Sequence, residues 1–408
     1  DEPLEIHGGG RIGFVVNSKL GSAGKGSSID NNRTGKYPNH GETNYYSLWF
    51  SKKTTAESGA WAKVTFGIDN FNCMPTGDLA EVTWRLRGFN VEFGALDFLP
   101  QGSTLKAGLF GLNQGWNDNQ DMPCLNMNGI GIGLANLGGI AGIYYLAQDA
   151  STDDNNNSPY NNEDDNPKLG ERTMHVFAAT VNNPMIDFLG GVGYAKKADN
   201  PGEKNLVNVA AGVVVKLPVA GLNVHAEVAT NSWATEMIFA ADDTVLKATD
   251  FTPGTGVDQA KKYKATAVRA GFFSIYDLGE GMYVAPAMFY SYFKAGKEYA
   301  NPRGGKADRA DQDIEFTCKF SKALTQNIAF APALGYSRQW TDASGDKAQQ
   351  YVKATVGVEM GLNTGYWAGQ KVQVYASYEN IDKDHKNSVV WDDNRNRMHF
   401  GTYVTFGF

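Results

Sequence analysis

Met398-His399-Phe400-Gly401-Thr402-Tyr403-Val404-Thr405-Phe406-Gly407-Phe408 closes the sequence. Phe400, Val404, Phe406 and Phe408 share one parity; His399, Tyr403 and Thr405 share the other. Successive side chains of a β-strand point to opposite faces, so this period of two predicts a strand with one apolar and one polar face. Water-soluble antiparallel sheets alternate as well, so the stretch needs company before it decides a fold.

That company runs along the chain. Val352, Ala354, Val356, Val358 and Met360 oppose Lys353, Thr355, Gly357 and Glu359. Val372, Val374, Ala376 and Tyr378 oppose Lys371, Gln373, Tyr375, Ser377 and Glu379. Ile314, Phe316, Cys318 and Phe320 oppose Asp313, Glu315, Thr317 and Lys319. Aromatic residues recur where such segments end, as at Trp49-Phe50, Tyr144-Tyr145, Tyr290-Ser291-Tyr292-Phe293 and Trp340. Girdles at two membrane interfaces would put them there. Connections sort by length. Short turns lie near Asn182-Asn183-Pro184, 216–221, 277–281 and 321–326; long polar loops lie near 19–40, 149–170, 232–260, 295–310 and 384–396. A membrane barrel with short periplasmic turns and long external loops has that alternation. The strands number eighteen, from 4–18, 41–52, 59–70 and 78–93 to 370–382 and 397–408, or nineteen if Leu79–Phe98 is split at Gly88. The parity shift at Gly88 also fits a bulge.

Composition removes other classes. Mean hydropathy is −0.37, and no stretch approaches the roughly 18 apolar residues of a spanning helix. With 408 residues, the chain exceeds one ordinary globular core, but in a barrel each strand adds wall instead of core. Net charge is −7 and no basic block is present, which argues against a nucleic-acid partner. Cys73, Cys124 and Cys318 form no CxxC, so a zinc site is not expected; a Cys73–Cys124 bridge and three separate thiols both remain open. The acidic loop 149–170 lacks EF-hand spacing and reads as a solvated surface loop. GxSxG, HExxH and P-loop patterns are absent, so the expectation is no enzyme, no metal and no cofactor. No basic-apolar leader stands at Asp1; an exported chain would have lost it. The prediction is an all-β protein: one transmembrane antiparallel β-barrel over residues 1–408, integral in the bacterial outer membrane.

Three segments carry a family resemblance. Leu4-Glu5-Ile6-His7-Gly8-Gly9-Gly10-Arg11-Ile12-Gly13 resembles the first strand of the maltoporin (LamB-type) sugar porins. Leu99-Pro100-Gln101-Gly102-Ser103-Thr104-Leu105-Lys106-Ala107-Gly108 is similar to that family's LPGSTxxAG segment, with one inserted residue. Tyr366-Trp367-Ala368-Gly369-Gln370-Lys371 resembles a strand start near the family's C-terminus. Phe408, ending an alternating strand, is similar to the sorting signal of outer-membrane proteins. The resemblance selects eighteen strands. It implies a homotrimer in outer-membrane lipid, an inward-folded third loop at 113–124, and passive diffusion of sugars along a strip of aromatic side chains. Departures are clear. Gly9 stands where the family has a slide Tyr, and Gly407-Phe408 replaces paired Trp. Asn44 or Tyr45 falls on a second slide position, Asp121 on a constriction acid, and Pro123 on an expected Tyr.

A sugar pore needs aromatic faces for the apolar sides of the rings and paired charges for the hydroxyl rims. Trp367, with Tyr45, is the candidate for stacking; an interfacial girdle is the other reading of Trp367. His7, Arg11, Glu81 and Arg85 lie on the lumen parity, where wetting alone also requires charge. Lys106, with Asp121 and Trp116, is the candidate constriction. The partners expected are small hydrophilic solutes, carbohydrates first. The alternatives are a general non-specific porin and a surface adhesin or structural major outer-membrane protein.

Overall fold

The computed structural model describes residues 2–17, 45–71, 85–113, 116–117, 122–123, 125–149, 173–196, 205–218, 221–231, 233–234, 265–294, 310–341, 348–365, 370–381 and 396–408. Nearly all of them are strand. β1 (Glu5–Asn17), β2 (Tyr45–Thr55), β3 (Trp61–Phe71), β4 (Arg85–Gly94) and β5 (Thr104–Asn113) open the chain. β6 (Asn126–Leu137), β7 (Ala141–Asp149), β8 (Thr173–Asn182), β9 (Ile186–Ala195), β10 (Leu206–Leu217) and β11 (Leu222–Thr230) follow. β12 (Thr266–Ser274, resuming at Tyr276–Gly279), β13 (Met282–Lys294), β14 (Ala310–Ala323) and β15 (Ile328–Phe330, resuming at Ala333–Thr341) come next. β16 (Gln349–Gly361), β17 (Lys371–Ile381) and β18 (Asn396–Gly407) complete the wall.

Each strand pairs antiparallel with its sequence neighbour, and β1 pairs with β18. The sheet therefore closes on itself. Twenty hydrogen-bonded segments make eighteen strands, because β12 and β15 are each interrupted once without a change of register. In β15 the interruption contains Pro332, which has no N–H to give to the ladder. Its carbonyl still accepts from the Phe320 amide at 2.9 Å, and the Ala331 amide reaches Gly357 at 2.8 Å. Closure ends in a reciprocal pair: Gly8 N–H donates to Phe408 at 3.0 Å and Phe408 N–H to Gly8 at 2.9 Å. A wall without edges satisfies its backbone internally, which hydrocarbon demands. No helix among the described residues is long and apolar enough to cross a membrane.

The parity shift near Gly88 is a bulge. Gly67 pairs with Gly88 but Ile68 pairs with Leu86, leaving Arg87 as the extra residue. The predicted strands match in order and number, with small differences at the ends: β2 runs to Thr55 and β3 begins at Trp61.

One parity of each strand forms an apolar outer surface. Phe177 is 66% exposed, Val356 55% and Val192 48%. Those values would be unfavourable in water and are ordinary against lipid tails. Tyr145, Tyr290 and Tyr378 stand on the same surface and bond His175, Gln312 and Asn396 at 2.7, 2.8 and 2.9 Å. All three partners lie within a few residues of the long-loop ends of their strands, as a girdle of amphipathic rings requires. Two other residues expected in girdles do not belong there. Trp49 and Tyr144 have the opposite parity and turn inward.

Candidate functional site

The inner face divides into two kinds of wall. From β14 round through β18 to β5 it carries charge. Lys319 bonds Glu359 at 2.7 Å, and Lys371 reaches the same carboxylate at 3.4 Å. Lys353 and His399 flank Glu379 at 3.5 and 3.3 Å. The Thr355 and Ser377 hydroxyls meet at 2.8 Å between these groups. On β1 to β3, Glu5 accepts from the Ser51 hydroxyl at 2.7 Å and pairs with Lys63 at 3.0 Å. Asp69 pairs with Arg87, the bulge residue, and Glu92 with Lys106 at 2.9 Å. In these pairs opposite charges on nearby strands compensate one another.

Among the described residues, two indoles lie in this charged wall. Trp49 of β2 pairs across with His7 and with Gly67, which pairs in turn with Gly88. A side chain at Gly67 or Gly88 would overlap the Trp49 ring, so the two glycines create the space in which that ring lies against the wall. Trp61 of β3 covers Gly94 of β4 in the same way, and the Lys53 ammonium sits 5.3 Å from its ring centroid. Each ring is only partly buried.

From β5 to β13 much of the inner face is apolar. Phe110, Leu112, Met127, Leu146, Met174 and Leu189 are buried together there. Trp233, just beyond β11, is fully buried with its ring over Gly193 of β9, beside Met174. Leu125, where the third long connection meets β6, joins the same cluster. Trp116–Asn117 and Met122–Pro123 pair as a small ribbon. Leu125 follows, fully buried, and its amide donates to Glu227 of β11 at 2.8 Å. β7 to β10 separate β6 from β11 along the wall, so this bond passes through the barrel interior and not along the sheet.

The residues singled out in the sequence are distributed as follows. His7 is exposed on the inner face, its Nε2 4.0 Å from Glu5. Lys106 is inward, 5.3 Å from the Phe110 ring centroid, and its described partner is Glu92 on the neighbouring strand. Position 11 pairs with positions 45 and 405, and position 85 with the inward Asp69, so backbone register gives 11, 45 and 85 the lumen parity. Trp116 is in the ribbon of the third connection. Trp367, Glu81 and Asp121 lie outside the described residues, as do Cys73, Cys124 and the acidic loop; Cys318 is a free thiol. Trp49 and Trp61 were not singled out for the lumen. Their signal was present: each shares parity with nearby polar residues and pairs with glycine.

A closed barrel, a lipid-facing apolar band and an inner face lined over much of its circumference by charge define the kind of protein. The model of the LamB porin family matches residues 4–406. The chain belongs to the LamB porin family. It is an outer-membrane porin, an integral β-barrel of the transport class. Curated protein sequences contain no match. Among solved structures, OmpF of Salmonella typhi in complex with daunomycin is 12% identical, with 99% of this chain and 97% of that one covered and a TM-score of 0.44. OccD3 (OpdP) of Pseudomonas aeruginosa is 8% identical, with 100% and 92% covered and a TM-score of 0.45. OmpT of Vibrio cholerae, in vitro folded and in a trimer form, is 8% identical, with 100% and 99% covered and a TM-score of 0.39.

Proposed function

We propose that this porin is a passive channel for small hydrophilic solutes, carbohydrates first, and that it works as a homotrimer without catalytic chemistry. The observation carrying the reading is the pair of inward indoles, Trp49 and Trp61, set among matched charges on β1 to β5. A pyranose presents a C–H face that an indole covers and a rim of hydroxyls that exchange hydrogen bonds with carboxylate and ammonium groups. Glu5, Lys63, Asp69, Arg87, Glu92 and Lys106 offer both donors and acceptors within this wall. The solute trades water for these contacts step by step, and no single site holds it strongly enough to stop its passage. His7, Arg11, Tyr45 and Arg85 extend the wall, with Trp367 and Glu81 as further candidates. The further candidates for a narrowing of the lumen are residues 113–124, with Lys106, Trp116 and Asp121 as the constriction set, inside a single barrel domain.

Proteoliposome swelling tests the reading. Vesicles containing the protein should swell in isotonic mono- and disaccharide solutions at rates that depend on sugar identity as well as mass. Rates set by mass alone would leave a general porin, and no swelling would sink the channel. An unboiled gel should show a heat-modifiable trimer; a monomer band alone would remove the trimer from the proposal.

A further inference from the structure

Where β16, β17 and β18 near the end at which the chain closes on itself, the inner face carries polar groups that the protein does not satisfy. Gln373 of β17 is fully buried, and neither its carboxamide oxygen nor its nitrogen has a hydrogen-bond partner. The nitrogen lies 2.8 Å from where a Cβ on Gly357 would stand, so the carboxamide is held flat against β16, two residues from Glu359. Glu359 is also the direct cross-strand partner of Gln373. Thr405 of β18 has a buried hydroxyl oxygen, again without a partner, and its direct neighbour across the sheet is Lys371. Nearby on the same wall such groups are satisfied: the Thr355 and Ser377 hydroxyls bond each other at 2.8 Å. Buried polar groups are nearly always paired, so orphans gathered around one lysine point to a partner from outside the chain. Charge at the same place sets the sign of that partner. Lys319 takes Glu359 Oε1 at 2.7 Å, whereas Lys371 reaches Oε2 at 3.4 Å, so two cations share one carboxylate. An ammonium has three N–H donors, and the long contact to Glu359 leaves Lys371 able to bond another acceptor. Lys371 and Thr405 are both only partly buried.

We infer that Lys371, Gln373 and Thr405 bind the carboxylate of an acidic saccharide, while Glu359, held by Lys319, accepts from a hydroxyl of the same molecule. The inference rests on the porin reading for the solute's passage, not for its binding. An ammonium, a carboxamide N–H and a hydroxyl are the donors an anion requires, and a charged donor makes the strongest of these bonds. The Gln373 oxygen and the Glu359 carboxylate are acceptors, which suits a ligand whose anionic group stands beside hydroxyls. A neutral sugar would leave the Lys371 ammonium without a charged partner. A phosphate dianion would bring a second negative charge against Glu359. A hydroxylated monocarboxylate meets both conditions. The step lies on β16 to β18, apart from the indoles of β2 and β3, and selects by charge where the indoles select by ring face.

The test separates a built site from a diffuse positive field. The full chain folded in detergent is titrated with glucuronate, glucose and glucose 6-phosphate by equilibrium dialysis, and the same solutes are followed into proteoliposomes. Wild type should bind glucuronate about tenfold or more tightly than glucose, the scale of one charge-assisted hydrogen bond. Lys371→Met should remove that preference. Gln373→Leu removes no charge; it should weaken glucuronate binding roughly three- to tenfold, the scale of one neutral hydrogen bond, and leave both glucose flux and the reversal potential in a salt gradient unchanged. Thr405→Val reads the same site if Gln373→Leu does not fold. Glucuronate binding that the uncharged substitutions leave intact, or an equal fall for glucose, would overturn the site. Tighter binding of glucose 6-phosphate than of glucuronate would overturn the carboxylate. Binding does not require conduction: a wild type that binds glucuronate but passes none of the three solutes would contradict the porin reading and uphold the site, and one that passes glucose but binds no glucuronate would do the reverse.

Discussion

β8 and β14 are built alike on the outside and oppositely on the inside. Outward, Phe177 of β8 and Phe316 of β14 face lipid. Inward, β8 presents Met174, Val176 and Ala178, whereas β14 presents Asp313, Glu315, Thr317 and Lys319. The rule that membrane barrels alternate apolar-out and polar-in holds for β14 and fails for β8. The difference lies in what covers the inner face. Over β8 and its neighbours lie Leu125, Met127 and Trp233, so those strands have lipid on one side and protein on the other. Inner-face polarity thus follows local cover and is not a property of the barrel as a whole.

The largest effect that tests this contrast is a charge placed in the apolar sector. Val176→Asp puts an unpaired carboxylate among Met174, Leu146 and Trp233, and should cost about 3–5 kcal/mol. The barrel would then lose its resistance to unfolding in urea within folded bilayers. A cost under 1 kcal/mol would show that this sector is wet, and the contrast with β14 would disappear. Next in size is the outer face, which should not distinguish the sectors. Val192→Arg, behind the apolar sector, and Val356→Arg, behind the charged one, should each cost about 2–4 kcal/mol if they lie near the bilayer midplane. A large inequality between the two would mean that one of these faces is not against lipid.

Much of this architecture was legible in the sequence. Alternation in 351–360, 371–379 and 398–408 pointed to strands, the sorting of connections to their direction, and the family resemblance chose eighteen strands over nineteen. The bulge beside Gly88 was visible as a slip of parity. The sector division was less visible. Met174-His175-Val176-Phe177-Ala178-Ala179 reads as an apolar strand broken only by His175, and Val209-Ala210-Ala211-Gly212-Val213-Val214 as an unbroken one. Such runs signal burial on both faces, but they do not say which segment provides the second cover. The lumen aromatics were harder still. Trp49 stands next to Phe50, one inward and one outward, and only the pairing of Trp49 with Gly67 shows a flat ring against the wall. A cross-strand glycine is a long-range fact that a linear reading does not contain. The bond from Leu125 to Glu227 spans 102 residues and is invisible for the same reason.

A smaller effect belongs to the charged sector itself. Lys106→Met leaves Glu92 partly exposed to the lumen, so stability should change by about 0–1 kcal/mol. Ion selectivity should nevertheless move toward cations, read as a reversal potential in a salt gradient. An unchanged reversal potential would mean that β4 and β5 do not line the conducting path.

A sugar-recognising wall on β1 to β5 inside an open channel would make conduction sensitive to sugar. Single-channel current in a planar bilayer, with oligosaccharide added, tests it most directly. Wild-type protein should give stable ion steps that the sugar interrupts. Trp49→Ala and Trp61→Ala should each weaken that block about three- to tenfold, the scale of one lost aromatic contact, with ion conductance little changed. Steps that sugar never interrupts, or a block constant that both substitutions leave intact, would mean that Trp49 and Trp61 do not bind sugar in the channel.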